Sequence, residues 1–274
     1  MVKLMDETAE ALLYVKEVVR KFGDRKTTHS FYLEFRRRLE VLKLVKAYCR
    51  QGSTVLDIGA QPFIVSCALK RMGYRVVAFD IEPEPYIEIA KACGIDVVKC
   101  DLEKDEFAII DADCAVFTEV LEHLHYYHVP TVLAKIGKAL KVGGYLVLTT
   151  PNVASLFRRL RLLLGRQPIY RYHVREYTMG EVLGITREAG FDIVEAYYSA
   201  VNDLTLIDAE LEEYPRIRSY KDLLRVAVRR PTKLNVLRAL AYPLVKLRPS
   251  LRQLIVVVGV KVGEPSTRPL ERWG

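Results

Sequence analysis

The chain has 274 residues, 50% of them hydrophobic and 28% charged, with a net charge of +8. This excludes a disordered chain, which cannot bury enough apolar surface to offset its ordering entropy, and fits one large domain or a domain with additions. The longest purely apolar run, LIVVV at 254–258, is far short of the ~20 residues that span a bilayer, and residues 1–10 lack the basic-then-apolar build of a signal peptide, so a cytoplasmic location is expected.

The charge is uneven. Residues 1–50 carry 12 basic and 7 acidic groups, residues 51–150 carry 9 and 14, and residues 151–274 carry 21 and 13. The excess is sharpest from Tyr214 to Arg252, with 11 Lys and Arg against Asp222 alone. Such a stretch is either a solvated helix face or an anion-seeking surface. The five cysteines (Cys49, Cys67, Cys93, Cys100, Cys114) show no C-x-x-C pair and read as free thiols of a reducing compartment.

In chain order, residues 6–22 and 30–49 read as helices, with a break at 23–29. TVLDI (54–58) reads as a buried strand stopped by glycine. Helix 63–72, strand RVVAFD (75–80), helix 84–92, strand DVVKC (96–100), strand CAVFT (114–118), helix 127–141 and strand YLVLTT (145–150) follow. A helix at 178–189, a sixth strand at 191–199 and a seventh at 254–262 complete the pattern. Alternating strands and crossover helices make a doubly wound α/β sheet, because parallel strands need such crossovers. The expected organisation is a helical arm (1–50), a core (51–200), a basic helical insertion (201–252), a last core strand (253–262) and a tail (263–274).

Ligands of such a sheet bind beyond the carboxyl ends of its strands. Asp57-Ile58-Gly59-Ala60 ends the first, where glycine lets a ligand approach the backbone. Asp80 ends the second and can accept two ribose hydroxyls. Asp101-Leu102 follows the third and suits an adenine. Glu119 ends the fourth, and Glu119-x-x-Glu122-His123 follows from it, with His125 and His128 just beyond. A nicotinamide enzyme is disfavoured, since G-x-G-x-x-G is missing after the first strand. Each acid, taken alone, also reads as a helix cap or turn residue.

VLDIGA, VVAFDIEP, VKCDLEKDE, FTEVLEHL and LKVGGYLVLTTPN, in that order, resemble the motifs of class I S-adenosylmethionine-dependent methyltransferases, in a type-11/type-23-like, E-x-x-E-H variant. The resemblance spans roughly residues 50–200. It implies a seven-stranded Rossmann-like sheet with the last strand antiparallel, and S-adenosylmethionine held by Asp57, Gly59, Ala60, Asp80, Ile81, Asp101, Leu102 and Glu119. One departure stands out: Gln61-Pro62 occupies the place of the usual second glycine of the first loop.

The E-x-x-E-H pattern, with a later histidine before R-E-Y-T, is similar to two metal-using branches of the superfamily. Those branches methylate RNA 2′-hydroxyls or catechol-like hydroxyls. Carried over, the metal ligands would be Glu119, Glu122, His123 and His173. Three readings stay open for Glu119, Glu122 and His123: a divalent-metal site, a metal-free general base, or a structural role. Residues 150–178 resemble, in texture, methyltransferases of polysaccharide and glycolipid synthesis. The expected function is O-methylation of a small-molecule, sugar or lipid-linked acceptor, with the basic segments meeting an anionic membrane surface. The alternatives are an RNA 2′-O-methyltransferase and a non-catalytic binding or scaffold relative.

Overall fold

A computed structural model describes residues 6–106 and 111–263 of the chain, so the tail expected from 263 onward lies almost wholly outside the described residues. Three helices precede the first strand: α1 (Glu7–Phe22), α2 (Arg25–Leu33) and α3 (Phe35–Tyr48). The break between the first two is shorter than Gly23 suggests. Asp24 caps α2 by accepting the Thr27 N–H at 2.6 Å, so the helix resumes at Arg25.

Then come β1 (Thr54–Ile58), α4 (Ile64–Arg71), β2 (Arg75–Asp80), α5 (Ile87–Cys93), β3 (Asp96–Lys99) and β4 (Ala112–Thr118). Next are α6 (Val129–Ala139), β5 (Leu140–Pro151), α7 (Leu156–Leu163), α8 (Met179–Glu188) and β6 (Phe191–Ser199). The chain closes with α9 (Val201–Thr205), α10 (Tyr220–Arg229), α11 (Lys233–Leu247) and β7 (Leu254–Lys261). The sheet order is β3-β2-β1-β4-β5-β7-β6, and β7 runs antiparallel to both its neighbours. This is the seven-stranded, doubly wound arrangement expected of the sequence. Strand order reverses between β1 and β4, which opens a crevice at their carboxyl ends.

Both faces of the inner strands β1, β4 and β7 are buried, which explains their near-continuous apolar sequences. Successive side chains point to opposite faces. Val55, Val116, Val147 and Val256 pack with α1, α3, α4 and α5. Leu56, Phe117, Leu148 and Val257 pack with α6 and α8. Leu204, Ile207, Tyr214 and Leu223 of the insertion join the first of these cores, beside the N-terminal helices.

One expectation is corrected here. Four of the five cysteines pair, Cys49 with Cys114 and Cys67 with Cys93, leaving Cys100 free and buried. The partners lie 65 and 26 residues apart, so no local spacing announces them. The pairing removes the argument from free thiols to a reducing compartment.

In α10 and α11, for which the basic stretch left a solvated face and an anion-seeking surface open, Val228, Leu240 and Leu247 are 74–80% exposed, while Asn235, Arg238, Ala239 and Val245 are buried. Tertiary contacts decide the face: Asn235 donates to the carbonyls of Asp208 and Arg230 and accepts the Asp208 N–H, which locks it inward. Among the described residues no helix is long and apolar enough to cross a membrane.

Candidate active site

The strand ends enclose a cavity of about 840 Å³, within the range of small-molecule sites. Its floor is Asp57, Gly59 and Ala60 at the end of β1, with Thr118 and Glu119 at the end of β4. Its walls are α2 and α3 on one side, and Asn202, Leu206, Tyr214 and Arg238 of the insertion on the other.

Gly59 sits at φ +70°, and a Cβ there would lie 2.3 Å from Val120 Cγ2. Only glycine fits both the backbone and the space. Asp57 is buried and accepts the Ser66 hydroxyl at 2.5 Å, which ties it to the first turn of α4. Burial raises its pKa to about 6 and nearby Asp80 adds to this, while the Ser66 hydrogen bond opposes them.

Asp80 is also buried. Its oxygens accept the Gln61 N–H at 2.9 Å and the Glu82 N–H at 3.1 Å, so it knits the loops after β1 and β2 together. The Gln61-Pro62 peptide in the first of these loops is cis. The Cys100 N–H donates to the Asp80 carbonyl, which sets Asp101 beside that strand end. Asp101 accepts from Lys104 at 2.7 Å, and its pKa is lowered chiefly by that bond. Leu102 is buried and Ile81 exposed. Asp57, Gly59, Ala60 and Glu119 thus line the cavity, whereas Asp80, Ile81, Asp101 and Leu102 stand beyond its wall, at the ends of β2 and β3.

The expected four-residue metal set divides. Glu122, His123 and His173 bring ligand atoms within 4.8 Å of one another. Glu119 lies outside that group because other partners hold it: Arg37 Nη1 donates to Oε2 at 2.8 Å, and Thr149 Oγ1 to Oε1 at 2.9 Å. Its backbone is left-handed, at φ +57°. For a residue other than glycine that costs on the order of 1–3 kcal/mol and marks a functional constraint.

The donor set of the remaining three fits a divalent cation. His123 Nδ1 donates to the Tyr172 carbonyl at 3.2 Å, and His173 Nδ1 to Glu176 Oε1 at 2.8 Å. Both rings therefore keep Nε2 for a ligand or a proton. Glu176 is in turn gripped by Arg158 through two bonds of 2.6 Å. A carboxylate behind a histidine is the arrangement that orients metal-binding imidazoles. Glu122 is buried and accepts the Thr150 hydroxyl at 3.0 Å. Burial, then Glu119, raises its pKa well above the ordinary range. Partial desolvation and then His173 lower the pKa of His123, which favours the neutral ring with Nε2 free to accept.

His125 sits apart, exposed and bonded to Glu103, and His128 only flanks it. Residues that sequence reasoning passed over complete the site. Glu34, between α2 and α3, forms one ion-pair cluster with Arg37 and Arg38 of α3, bonded at 2.7–2.8 Å. The Glu34-x-x-Arg37-Arg38 spacing was the available signal for the local pairs, though not for Arg37 reaching Glu119.

The antiparallel last pair of strands, the glycine turn after β1 and the carboxylate–imidazole group after β4 define a Rossmann-like transferase. The chain belongs to the family of methyltransferase domains, whose model matches residues 30–196, more than half of its length. No curated protein matches it.

Among solved structures, it is 16% identical to 1,6-didemethyltoxoflavin-N1-methyltransferase of Burkholderia thailandensis, solved with S-adenosylhomocysteine. That match has a TM-score of 0.55 and covers 96% of this chain and 93% of that one. It is 16% identical to the N-methyltransferase NodS of Bradyrhizobium japonicum, also with S-adenosylhomocysteine, at TM-score 0.55 over 94% and 100% of the two chains. An S-adenosylmethionine-dependent methyltransferase of Archaeoglobus fulgidus is 19% identical, at TM-score 0.56 over 89% and 97%. At these identities the likeness establishes the fold, and the chemistry must be argued from the site.

Proposed function

We propose that the protein transfers a methyl group from S-adenosylmethionine to an oxygen of a small or lipid-linked acceptor. The observation that carries this is the opening of Glu122, His123 and His173 into the same cavity as the Gly59 turn. A neutral amine is nucleophilic as it stands, whereas a hydroxyl must lose its proton, and this site supplies groups for that task. The acceptor oxygen attacks the methyl carbon, the C–S bond breaks with its electron pair leaving on sulfur, and the hydroxyl proton passes to His123 Nε2. Glu176 and Arg158 hold His173 in its orientation, and Arg37 holds Glu119 in the floor of the cavity. Where a divalent cation is bound, Glu122, His123 and His173 would hold it, and it would lower the pKa of the acceptor hydroxyl. Gly59, Asp57 and Ala60 are assigned to the methionine end of the donor, Asp80 and Ile81 to the ribose, and Asp101 and Leu102 to the adenine.

The test is calorimetric titration with S-adenosylhomocysteine, followed by transfer of labelled methyl into small-molecule, lipid and RNA fractions, with and without chelator. Saturable binding is expected, with label in a hydroxyl of the small-molecule or lipid fraction. Glu122→Gln and His173→Ala should each lower transfer at least tenfold at unchanged S-adenosylhomocysteine affinity. No binding heat would refute the enzyme reading, label on nitrogen would refute O-methylation, and label in RNA would select the RNA alternative.

The outward leucines of α11 favour the lipid-linked form of this reading. Leu240, Leu244 and Leu247 share the exposed surface with Lys233, Lys246 and Arg248, and Leu162 and Leu163 of α7 are exposed beside Arg161. Apolar and basic groups together suit an anionic bilayer surface. The protein is expected to float with vesicles of phosphatidylcholine and phosphatidylglycerol, and less so after Leu240→Ser with Leu247→Ser. Retention in the aqueous fraction with anionic vesicles would remove the lipid-surface part.

A further inference from the structure

We propose that the methyl acceptor carries an oxyanion, a phosphate or a carboxylate, and that Arg238 receives it inside the cavity. This deepens the methyltransferase reading and rests on it. Arg238 lines the cavity from α11 and is 8% exposed. Its Nε and Nη1 have no hydrogen-bond partner among the described residues. Nη2 reaches Gln253 Oε1 only at 3.5 Å, the outer limit of a bond. The nearest oxygen of Asp203 is 3.8 Å from Nη1, too far to accept from it. That carboxylate is already occupied, accepting the Gln253 backbone N–H at 3.1 Å and its side-chain amide at 3.0 Å.

A buried guanidinium held by one long hydrogen bond and a distant ion pair is costly, and nearly all buried polar groups in folded proteins are bonded. Asn235, one turn earlier on the same helix face, shows what a satisfied inward polar residue looks like here. Its side chain makes three bonds, at 2.7, 2.8 and 2.9 Å. Arg238 was turned inward with it and left open.

Phe157 lies against the flat face of the guanidinium, with its ring centroid 3.7 Å from the central carbon. Stacking of this kind fixes the plane and leaves the N–H edge to a ligand. The parallel fork of a guanidinium is Nε–H with Nη2–H, the pair Arg158 uses on Glu176; in Arg238 Nε is unbonded and Nη2 keeps a proton beyond its 3.5 Å contact with Gln253, so this edge matches the paired oxygens of a phosphate or carboxylate. The surroundings favour an anion as well. Arg158 lines the same cavity, and Arg252 lies near Asp203 with its donors on the carbonyls of Tyr198 and Val245. Against these cations stand Asp203 and Glu176. Burial pulls the pKa of Arg238 down to about 10, so it remains charged at neutral pH. An acceptor anchored here shares one chamber with Gly59, Glu122 and His123.

The experiment titrates phenyl phosphate, benzoate and benzyl alcohol into the full-length protein saturated with S-adenosylhomocysteine. Wild type is compared with Arg238→Met, which keeps the stem, and Arg238→Lys, which keeps the charge without the fork. At least one of the two anions is expected to bind wild type at least tenfold more tightly than it binds Arg238→Met. Arg238→Lys should be intermediate, and benzyl alcohol unaffected. The stronger of the two anions tells phosphate from carboxylate. Equal anion affinity in wild type and Arg238→Met, or anions binding wild type no better than benzyl alcohol, would overturn the proposal. If Arg238→Met does not fold, undiminished anion affinity in Arg238→Lys overturns the bidentate fork. Absence of S-adenosylhomocysteine binding by wild type would instead count against the methyltransferase reading, and anion binding at Arg238 can then be titrated without it.

Discussion

Gly59→Ala is expected to weaken S-adenosylhomocysteine binding by about a hundredfold or more. The left-handed backbone at φ +70° costs a side-chain-bearing residue about 1–2 kcal/mol. A Cβ placed 2.3 Å from Val120 Cγ2 must push back the segment that leads into Glu122 and His123, and overpacking of this kind costs about 1–3 kcal/mol. The sum, about 2–5 kcal/mol, falls on the loop proposed to meet the methionine end of the donor, and about 1.4 kcal/mol is worth a factor of ten. Calorimetry measures the affinity, and circular dichroism separates local damage from unfolding. Retention of wild-type affinity in a folded variant would show that the donor does not approach this turn.

Arg37→Ala is expected to destabilise the protein by about 3 kcal/mol, in line with the loss of one partner from a largely buried ion pair. Arg37 bridges Glu34 and Glu119, at 2.8 Å each, and its side chain is 17% exposed. Burial pulls its own pKa down, but Glu119, Glu34 and Glu122 together hold it above the ordinary value.

The pH dependence has a definite direction. Burial tends to raise the pKa of Glu34, but Arg37 and Arg38 bring it below the ordinary value. Its contribution to stability is therefore present above the unfolded pKa and lost as pH falls through the folded one. Glu122 behaves oppositely. Its raised pKa means that ionisation costs native stability as pH rises, and Arg37 offsets part of that cost. Without Arg37 both carboxylates become more expensive to ionise. The penalty should be larger near about pH 7 than near about pH 3, where Glu34 begins to bind its proton in the folded state as well. Urea unfolding at the two pH values measures this. A double-mutant cycle with Glu119→Gln should show coupling of about 0.5–3 kcal/mol. Additive losses would mean that Arg37 and Glu119 do not act as a pair.

Much of the fold was legible because its signals are local. Four apolar strands stopped by Asp57-Ile58-Gly59, Asp80, Asp101 and Glu119 state where the carboxyl edge lies, and edge residues of such sheets hold ligands. Glu122 and His123 were legible by their neighbourhood to β4, and His173 only through family resemblance. What escaped depends on contacts between distant segments. Arg37 and Glu119 are 82 residues apart. The inward turn of Arg238 followed from Asn235 bonding to Asp208, which no periodicity encodes. The leucines of α11 repeat at helical steps, but amphipathic spacing says only that a helix has two faces. The bonded asparagine decided which one met the interior. Glu119 leaving the metal group is of the same kind: the sequence places Glu119, Glu122 and His123 together, and Arg37 of α3 holds the first of them away.

The two walls of the chamber are fastened differently. Cys49, at the end of α3, is linked covalently to Cys114 in β4, so the helix that carries Arg37 and Arg38 is stapled to the sheet. The opposite side is held by non-covalent ties, among them Asn152 to the carbonyls of Ser250 and Arg252, and Gln253 to Asp203. Separating the first wall from the sheet would require breaking a covalent bond, whereas separating the second would require only the loss of a few amide hydrogen bonds.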